Sequence, residues 1–175
     1  MMHRQYRYVG PAEIADATRN IARGIALRSP ADVLEWVRQS RSEFDRTGRI
    51  IQTFVVTDDG SLLVADRRSE HVACAGGAPV LAAGEITFQR VGRSIEAEEV
   101  TNQSTGYCPE PASWTAMAEA LARAGIRGPD CYTTEFVFRR CEHCGQINLV
   151  KEEIFQCAVC DRPLPSAWNC DAHSA

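Results

Sequence analysis

The chain has 175 residues, 45% of them hydrophobic and 24% charged, with a formal net charge of −4. That size and apolar content suit one ordinary globular domain with a small appendage, and the acidic balance argues against a general nucleic-acid binder, which needs a basic face for phosphates. No apolar run approaches the roughly 18 residues that span a bilayer, and the polar start from Met1 to Tyr8 has no secretory character, so the expected location is cytoplasmic.

The alanine-rich segment 11–28 places Ile14, Ala17, Ile21 and Ile25 at helical spacings, with Pro11 in the first turn. Ser29-Pro30-Ala31-Asp32 reads as a second helix start: a hydroxyl cap, a proline at the first helical position and a carboxylate at the positive end of the dipole. Val33, Leu34 and Val37 give that helix an apolar face with Trp36 at its edge, and it should end near Ser42. The period changes at Arg49. Residues 50–57 are β-branched and aromatic, Asp58-Asp59-Gly60 is a turn, and 61–65 returns. Further strands are expected at 78–83, 85–91 and 94–102, punctuated by Gly84 and Gly92. Residues 49–103 thus read as an antiparallel meander packed by helices. Ser113 should cap a helix over 114–124, with Trp114, Met117, Ala118 and Leu121 on one face and Gly125 at its C-terminal cap. A strand over 131–138 then runs without a linker into the cysteine-rich end, and Trp168 is expected to pack back on the body.

Two Cys-x-x-Cys pairs, Cys141/Cys144 and Cys157/Cys160, carry the clearest chemistry. Each pair can present two thiolates from one tight turn. The segment between them, with short strands expected on either side of Lys151-Glu152-Glu153, has the length of a hairpin that could join the two turns. Gly145 lets the first turn adopt positive φ, so that amides face the sulfurs. Four protein sulfurs leave no position for water, so the expected cofactor is a structural Zn²⁺. Mononuclear iron uses the same ligands, and two disulfides are the third possibility, disfavoured in a reducing compartment. His143, inside the first turn, is expected to face solvent. Cys74, Cys108, Cys131 and Cys170 stand alone and read as reduced, mostly buried thiols.

Two other segments hold more glycine and polar residues than plain strands require: 70–85 and 100–111. If their loops face one another, His71, Asn102, Ser104, Tyr107 and Cys108 could share a pocket. His71 with Cys108 or Cys74 could form a thiolate–imidazole pair, or His71, Cys74 and Cys108 a second metal site. Equally, Asn102, Ser104 and Tyr107 could knit loop backbone together. The deaminase signature fails, since His71-Val-Ala73 lacks the glutamate and Arg140 precedes Cys141 where proline should stand.

His71, the Gly76-Gly77 pair, Ala82-Ala-Gly-Glu85 and the Ser104-to-Pro109 element, with Tyr8-Val-Gly-Pro11 upstream, resemble the core module of plant IQ-motif calmodulin-binding proteins and of toxin-like bacterial domains. That module usually reads Ser-Gly-His-Tyr-x-Pro in the second element; here Gly106 stands where it has histidine, and Cys108 follows Tyr107. The string from Asn102 to Pro109, joined to a four-cysteine ribbon, is similar to a set of small uncharacterised bacterial proteins. The resemblance implies an architecture rather than an activity.

The expected fold is therefore α+β: an antiparallel sheet packed by helices over residues 1–135, with a zinc ribbon over 136–170 docked on it. The expected function is a binding or adaptor module that recognises a protein or small ligand through loops 71–79 and 102–111. One alternative is an enzyme acting on a nucleotide-like substrate with His71, Ser104, Tyr107 and Cys108 in its pocket. The other is nucleic-acid binding by the ribbon through Arg139 and Arg140.

Overall fold

The computed structural model of the protein describes residues 2–171. In chain order the elements are α1 (Ala12–Thr18), β1 (Ile25–Leu27), α2 (Pro30–Gln39), β2 (Arg49–Thr57), β3 (Leu62–Asp66), α3 (His71–Ala75), β4 (Val80–Val91), β5 (Ser94–Val100), α4 (Trp114–Ala124), β6 (Val137–Arg140) and β7 (Ile147–Val150). The architecture is α+β, with a five-stranded antiparallel sheet in the order β1-β3-β2-β4-β5 and a separate β6-β7 pair.

β2 is the middle strand, and Phe54, Val55 and Val56 are all fully buried, so both of its faces are covered. On one face Phe54, Val56, Leu62, Val64, Ile86 and Phe88 pack with Trp36 of α2 and Met117 and Leu121 of α4. On the other, Val55, Leu63, Val80 and Ala83 meet Tyr6, Val72 and Tyr107, with Ile14 of α1 against them. The strand order is not a plain meander: after the β2–β3 hairpin the chain carries α3 across and returns as β4 on the far edge of β2.

Local signals placed several elements well. Ser29 accepts the Asp32 amide at 3.2 Å and caps α2. Gly125 ends α4 at φ +71°. Other expectations change. The first helix stops at Thr18, because Ile25, Ala26 and Leu27 pair with Val64, Leu63 and Leu62 as an edge strand. Gly84 does not separate two strands but lies inside β4. Trp36 is buried and Leu34 half-exposed, since Val33, Trp36, Val37 and Ser40 form the inward stripe at spacings of three and four. Residues 71–75 form a short helix, and 131–136 run beside the end of β5 without forming a strand, held by Thr133 bonds to Val100, the parallel Thr101–Thr134 bridge and Asn102 on Phe136 before β6 begins. In the ribbon the pairing is β6 with β7 across the first knuckle. Beyond Glu152 and Glu153, both at positive φ, the described residues make isolated bridges and no regular strand.

The ribbon lies against the core. Arg139 is buried and gives its guanidinium to the carbonyls of Phe138, Pro165 and Ser166. Asn169 clasps the Arg140 peptide, accepting its N–H and donating to its C=O at 2.8 Å each. Trp168 sets its ring edge-on to Tyr6 and donates to the Cys108 carbonyl at 2.8 Å. The tail thus ties β6 to the main sheet's underside, as the sequence suggests for Trp168.

Candidate metal centre and the adjoining cleft

The two cysteine turns have the same backbone design. In the first, Cys141 N donates to Gln146 O and Gly145 N to Cys141 O; in the second, Cys157 N donates to Arg162 O and Asp161 N to Cys157 O, all at 2.8–3.0 Å. Gly145 takes φ +75° and Asp161, its counterpart, φ +58°. Aspartate is among the few residues that tolerate this region, so the second turn closes without glycine.

These turns bring the four sulfurs within 4.8 Å of one another. Two of the separations are 3.5 Å for Cys141–Cys160 and 3.6 Å for Cys144–Cys157. A tetrahedron with metal–sulfur bonds of about 2.3 Å has edges of about 3.8 Å, so the cage fits a tetrahedral cation. The same separations are far beyond a sulfur–sulfur bond of about 2.05 Å, and every described cysteine is a free thiol. His143 is exposed and stands outside the ligand set.

Amides aim at the sulfurs. Val159 N and Asn148 Nδ2 approach Cys157 Sγ at 3.5 and 3.6 Å, while Asn148 Oδ1 accepts from Ala158 N, so β7 braces the second turn. Burial pushes the Cys157 thiol up, but the amides of Val159 and Cys160, Cys144 and Asn148 outweigh it and hold it down to about 6. Cys160 is pushed up to about 12: the Arg162 amide lowers it, but burial and the neighbouring cysteines prevail. Sulfurs this close cannot all ionise without a cation among them, and a metal supplies that positive charge.

The second group of sequence candidates is placed differently. His71 Nε2 lies 3.0 Å from Gly84 O; a carbonyl only accepts, so the ring donates there. Ser104 Oγ accepts the Tyr107 amide at 3.3 Å, Tyr107 OH donates to Ala78 O at 2.8 Å, and the Cys108 thiol faces Thr105 O at 3.3 Å. Cys74 turns to Leu63 O, and burial pushes its thiol up to about 12. His71, Cys74 and Cys108 gather no metal site among the described residues. Buried Asn102 holds the carbonyls of Pro109 and Phe136 and the amide of Phe136, the knitting role its residue type suggests.

Between core and ribbon lies a cleft of about 590 Å³ that the sequence reading did not assemble. Its walls come from four distant segments: Tyr8–Pro11 with Ile14, Glu70, the pair Thr105 and Gly106, and the ribbon from Phe138 to Leu149. None of His71, Ser104, Tyr107 or Cys108 lines it; of the loop 102–111, Thr105 and Gly106 do. Val9 N donates to Gly106 O at 2.7 Å, and Tyr8 stacks edge-on against Tyr107, which fixes the N-terminal arm as one wall. A Cβ on Gly106 would meet the Tyr8 ring at 2.7 Å. Gly145 and Gln146, directly after the ligand Cys144, form part of the opposite wall. A smaller cavity of about 330 Å³ on the other side of Tyr8 takes Val72, Gly76 and Gly77 from the loop 71–79.

Comparison with protein-family models, with curated proteins and with solved structures finds no match for this chain. No helix among the described residues is long and apolar enough to cross a membrane.

Proposed function

We propose that this protein is a zinc-stapled binding module whose recognition site is the cleft between the N-terminal arm and the ribbon. One observation carries the reading: the knuckle that supplies Cys141 and Cys144 also supplies Gly145 and Gln146 to the cleft wall. A metal in the cage would then fix the shape of the site without taking part in chemistry. Zinc suits four sulfurs at tetrahedral spacing. The convergence of Tyr8–Pro11 with Thr105 and Gly106 also joins two segments on which the resemblance to the IQ-motif and toxin-like module rests.

The lining suggests the ligand. Tyr8, Val9, Ile14, Phe138, Ile147 and Leu149 provide an apolar body. Arg140 gives one nitrogen to Gly145 O, but its buried Nε has no partner. A buried unpaired donor beside a cavity favours an acceptor in that cavity. A small molecule with a flat apolar part and a carboxylate or similar anion satisfies both features. The catalytic alternative has less support, because His71, Ser104, Tyr107 and Cys108 each spend their polar atoms on local backbone. Nucleic-acid binding through Arg139 and Arg140 has less still, because Arg139 is buried on the tail carbonyls.

Titration of ¹⁵N-labelled, metal-loaded protein with N-acetyl-phenylalanine and with phenylalanine amide separates the possibilities. The expected result is saturable shifts at Thr105, Gly106, Gly145 and Gln146 with the carboxylate probe, weaker with the amide and lost in Leu149→Trp, which fills the cleft from a partly exposed position on its ribbon wall. Shifts confined to other surfaces, or equal response to both probes, overturn the reading.

A further inference from the structure

Cys108 and Cys170 are 62 positions apart in sequence and each stands alone, yet the fold buries both completely in one small cluster. Phe138 is the third fully enclosed member, with Val9, Phe136, Ile147 and Trp168 around it. Neither thiol has a role in the metal cage or the cleft lining. Cys108 sits at φ +46°, in the left-handed region that a cysteine rarely adopts. The surrounding backbone holds it there: its amide donates to Ser104 O at 2.7 Å and its carbonyl accepts from Trp168 Nε1. In that conformation the thiol faces Thr105 O at 3.3 Å, within the same buried cluster as Cys170. The two thiols also act on one another's ionisation. Interaction with Cys170 is the main cause that raises the Cys108 thiol, with burial second, and interaction with Cys108 is the main cause that lowers Cys170. Arg140 and Arg139 add to the lowering at Cys170.

We propose that Cys108 and Cys170 are a redox modification site: a dithiol that closes to an intramolecular disulfide and locks the C-terminal tail, and with it the ribbon, onto the core. Residues 165–170 form no helix or strand and are held by side-chain bonds through Arg139, Asn169 and Trp168, so this segment can lift without the sheet unfolding. With a low-molecular-weight disulfide as oxidant, the Cys170 thiolate attacks one sulfur and releases one thiolate of the reagent. The Cys108 thiolate then attacks the Cys170 sulfur of that mixed disulfide, forms the Cys108–Cys170 bond and expels the second reagent thiolate. The protein gives up two electrons and two protons, and the reagent disulfide is reduced to two thiols.

The test uses zinc-loaded full-length protein carrying Cys131→Ser, which removes the exposed thiol outside the cage. The sample is equilibrated in glutathione redox buffers and examined by native and denaturing mass spectrometry and by non-reducing peptide mapping. The expected product has lost two hydrogens, carries no glutathione, retains its metal and yields a cross-linked peptide pair containing Cys108 and Cys170. Amide exchange in residues 164–171 should slow about tenfold on oxidation. Cys170→Ser and Cys108→Ser should each abolish the cross-link, leaving at most a glutathione adduct on the remaining cysteine. Two results overturn the proposal: both cysteines remaining fully alkylatable while the metal is retained, or cage oxidation with metal release before any Cys108–Cys170 bond appears.

Discussion

The side chain of Asn102 grips the Phe136 peptide from both sides, its Oδ1 accepting the Phe136 N–H at 2.7 Å and its Nδ2 donating to the Phe136 carbonyl at 2.8 Å. The same amide group reaches Pro109 O at 2.9 Å. Asn102 is fully buried at the end of β5, so it acts as one more rung of the sheet. That rung ties together the end of the sheet, the loop through Cys108 and the chain entering the ribbon.

Asn102→Ala should therefore cost about 3 kcal/mol, because it strands three backbone groups away from water. Asn102→Asp keeps the shape but turns a carboxylate on the carbonyls of Pro109 and Phe136, and should cost at least as much. Chemical denaturation of the metal-loaded variants measures both. If Asn102→Asp is as stable as wild type, the amide donor is not what holds the junction.

Gly84 shows why a glycine inside a strand can be compulsory. A Cβ there would lie 1.9 Å from the Thr101 carbonyl oxygen, a distance no side chain can occupy. Thr101 N in turn donates to Glu85 O, so β4 and the chain after β5 cannot separate without losing their ladder. Gly84→Ala should destabilise the protein by more than about 3 kcal/mol or prevent folding. Gly77→Ala is the comparison: nothing lies near its Cβ, and only the positive φ is strained, which should cost about 1 kcal/mol. Equal thermal midpoints for the two variants would remove the steric argument.

These two residues mark the limit of what the sequence makes legible. The α2 cap, the Asp58-Asp59-Gly60 turn and the cysteine cage could be read because their causes lie within a few residues, or within two matched motifs. From sequence Gly84 reads as a break, because its cause is Thr101, which lies beyond a whole strand. Ile25 reads as helical because its β partner, Val64, is remote. The cleft needs four segments and the buried cluster of Cys108 with Cys170 needs two, and none of these has a spacing that announces it. His71, Ser104 and Tyr107 did come to lie near the same end of the sheet, but with their polar atoms spent on backbone.

Metal removal should unfold the ribbon and spare the sheet. Apparent binding energies of structural zinc sites, about 10–16 kcal/mol, are largely folding energy, and β6–β7 has too small a core to stand alone. Cys157→Ser should lose the metal and open residues 139–170 to hydrogen exchange, while β2 and β4 stay protected. Elemental analysis with exchange mass spectrometry measures both. A tetrahedral thiolate spectrum on loading with Co²⁺ checks the cage geometry directly. A variant that stays folded at the ribbon and metal-replete would sink the assignment.

His71 should make stability depend on pH in a defined direction. Burial lowers its pKa; the bond to Gly84 O and the charges of Glu85 and Glu70 oppose the shift without cancelling it. The folded protein thus favours the neutral ring, which donates from Nε2 to Gly84 O. In the unfolded chain the ring titrates near its ordinary value of about 6.5. Between the two values the unfolded state binds more protons, so stability rises with pH. The His71 contribution is complete above about pH 6.5 and declines as pH falls from there towards the folded value. Chemical denaturation of wild type and His71→Gln, at steps from neutral pH downwards with metal content assayed at each, isolates this effect. The wild-type advantage should shrink as pH falls while the cage stays loaded. An advantage that is flat across that range would mean that folding leaves the His71 pKa unmoved, and one that grows towards acid that the fold favours the charged ring; either outcome overturns the burial argument.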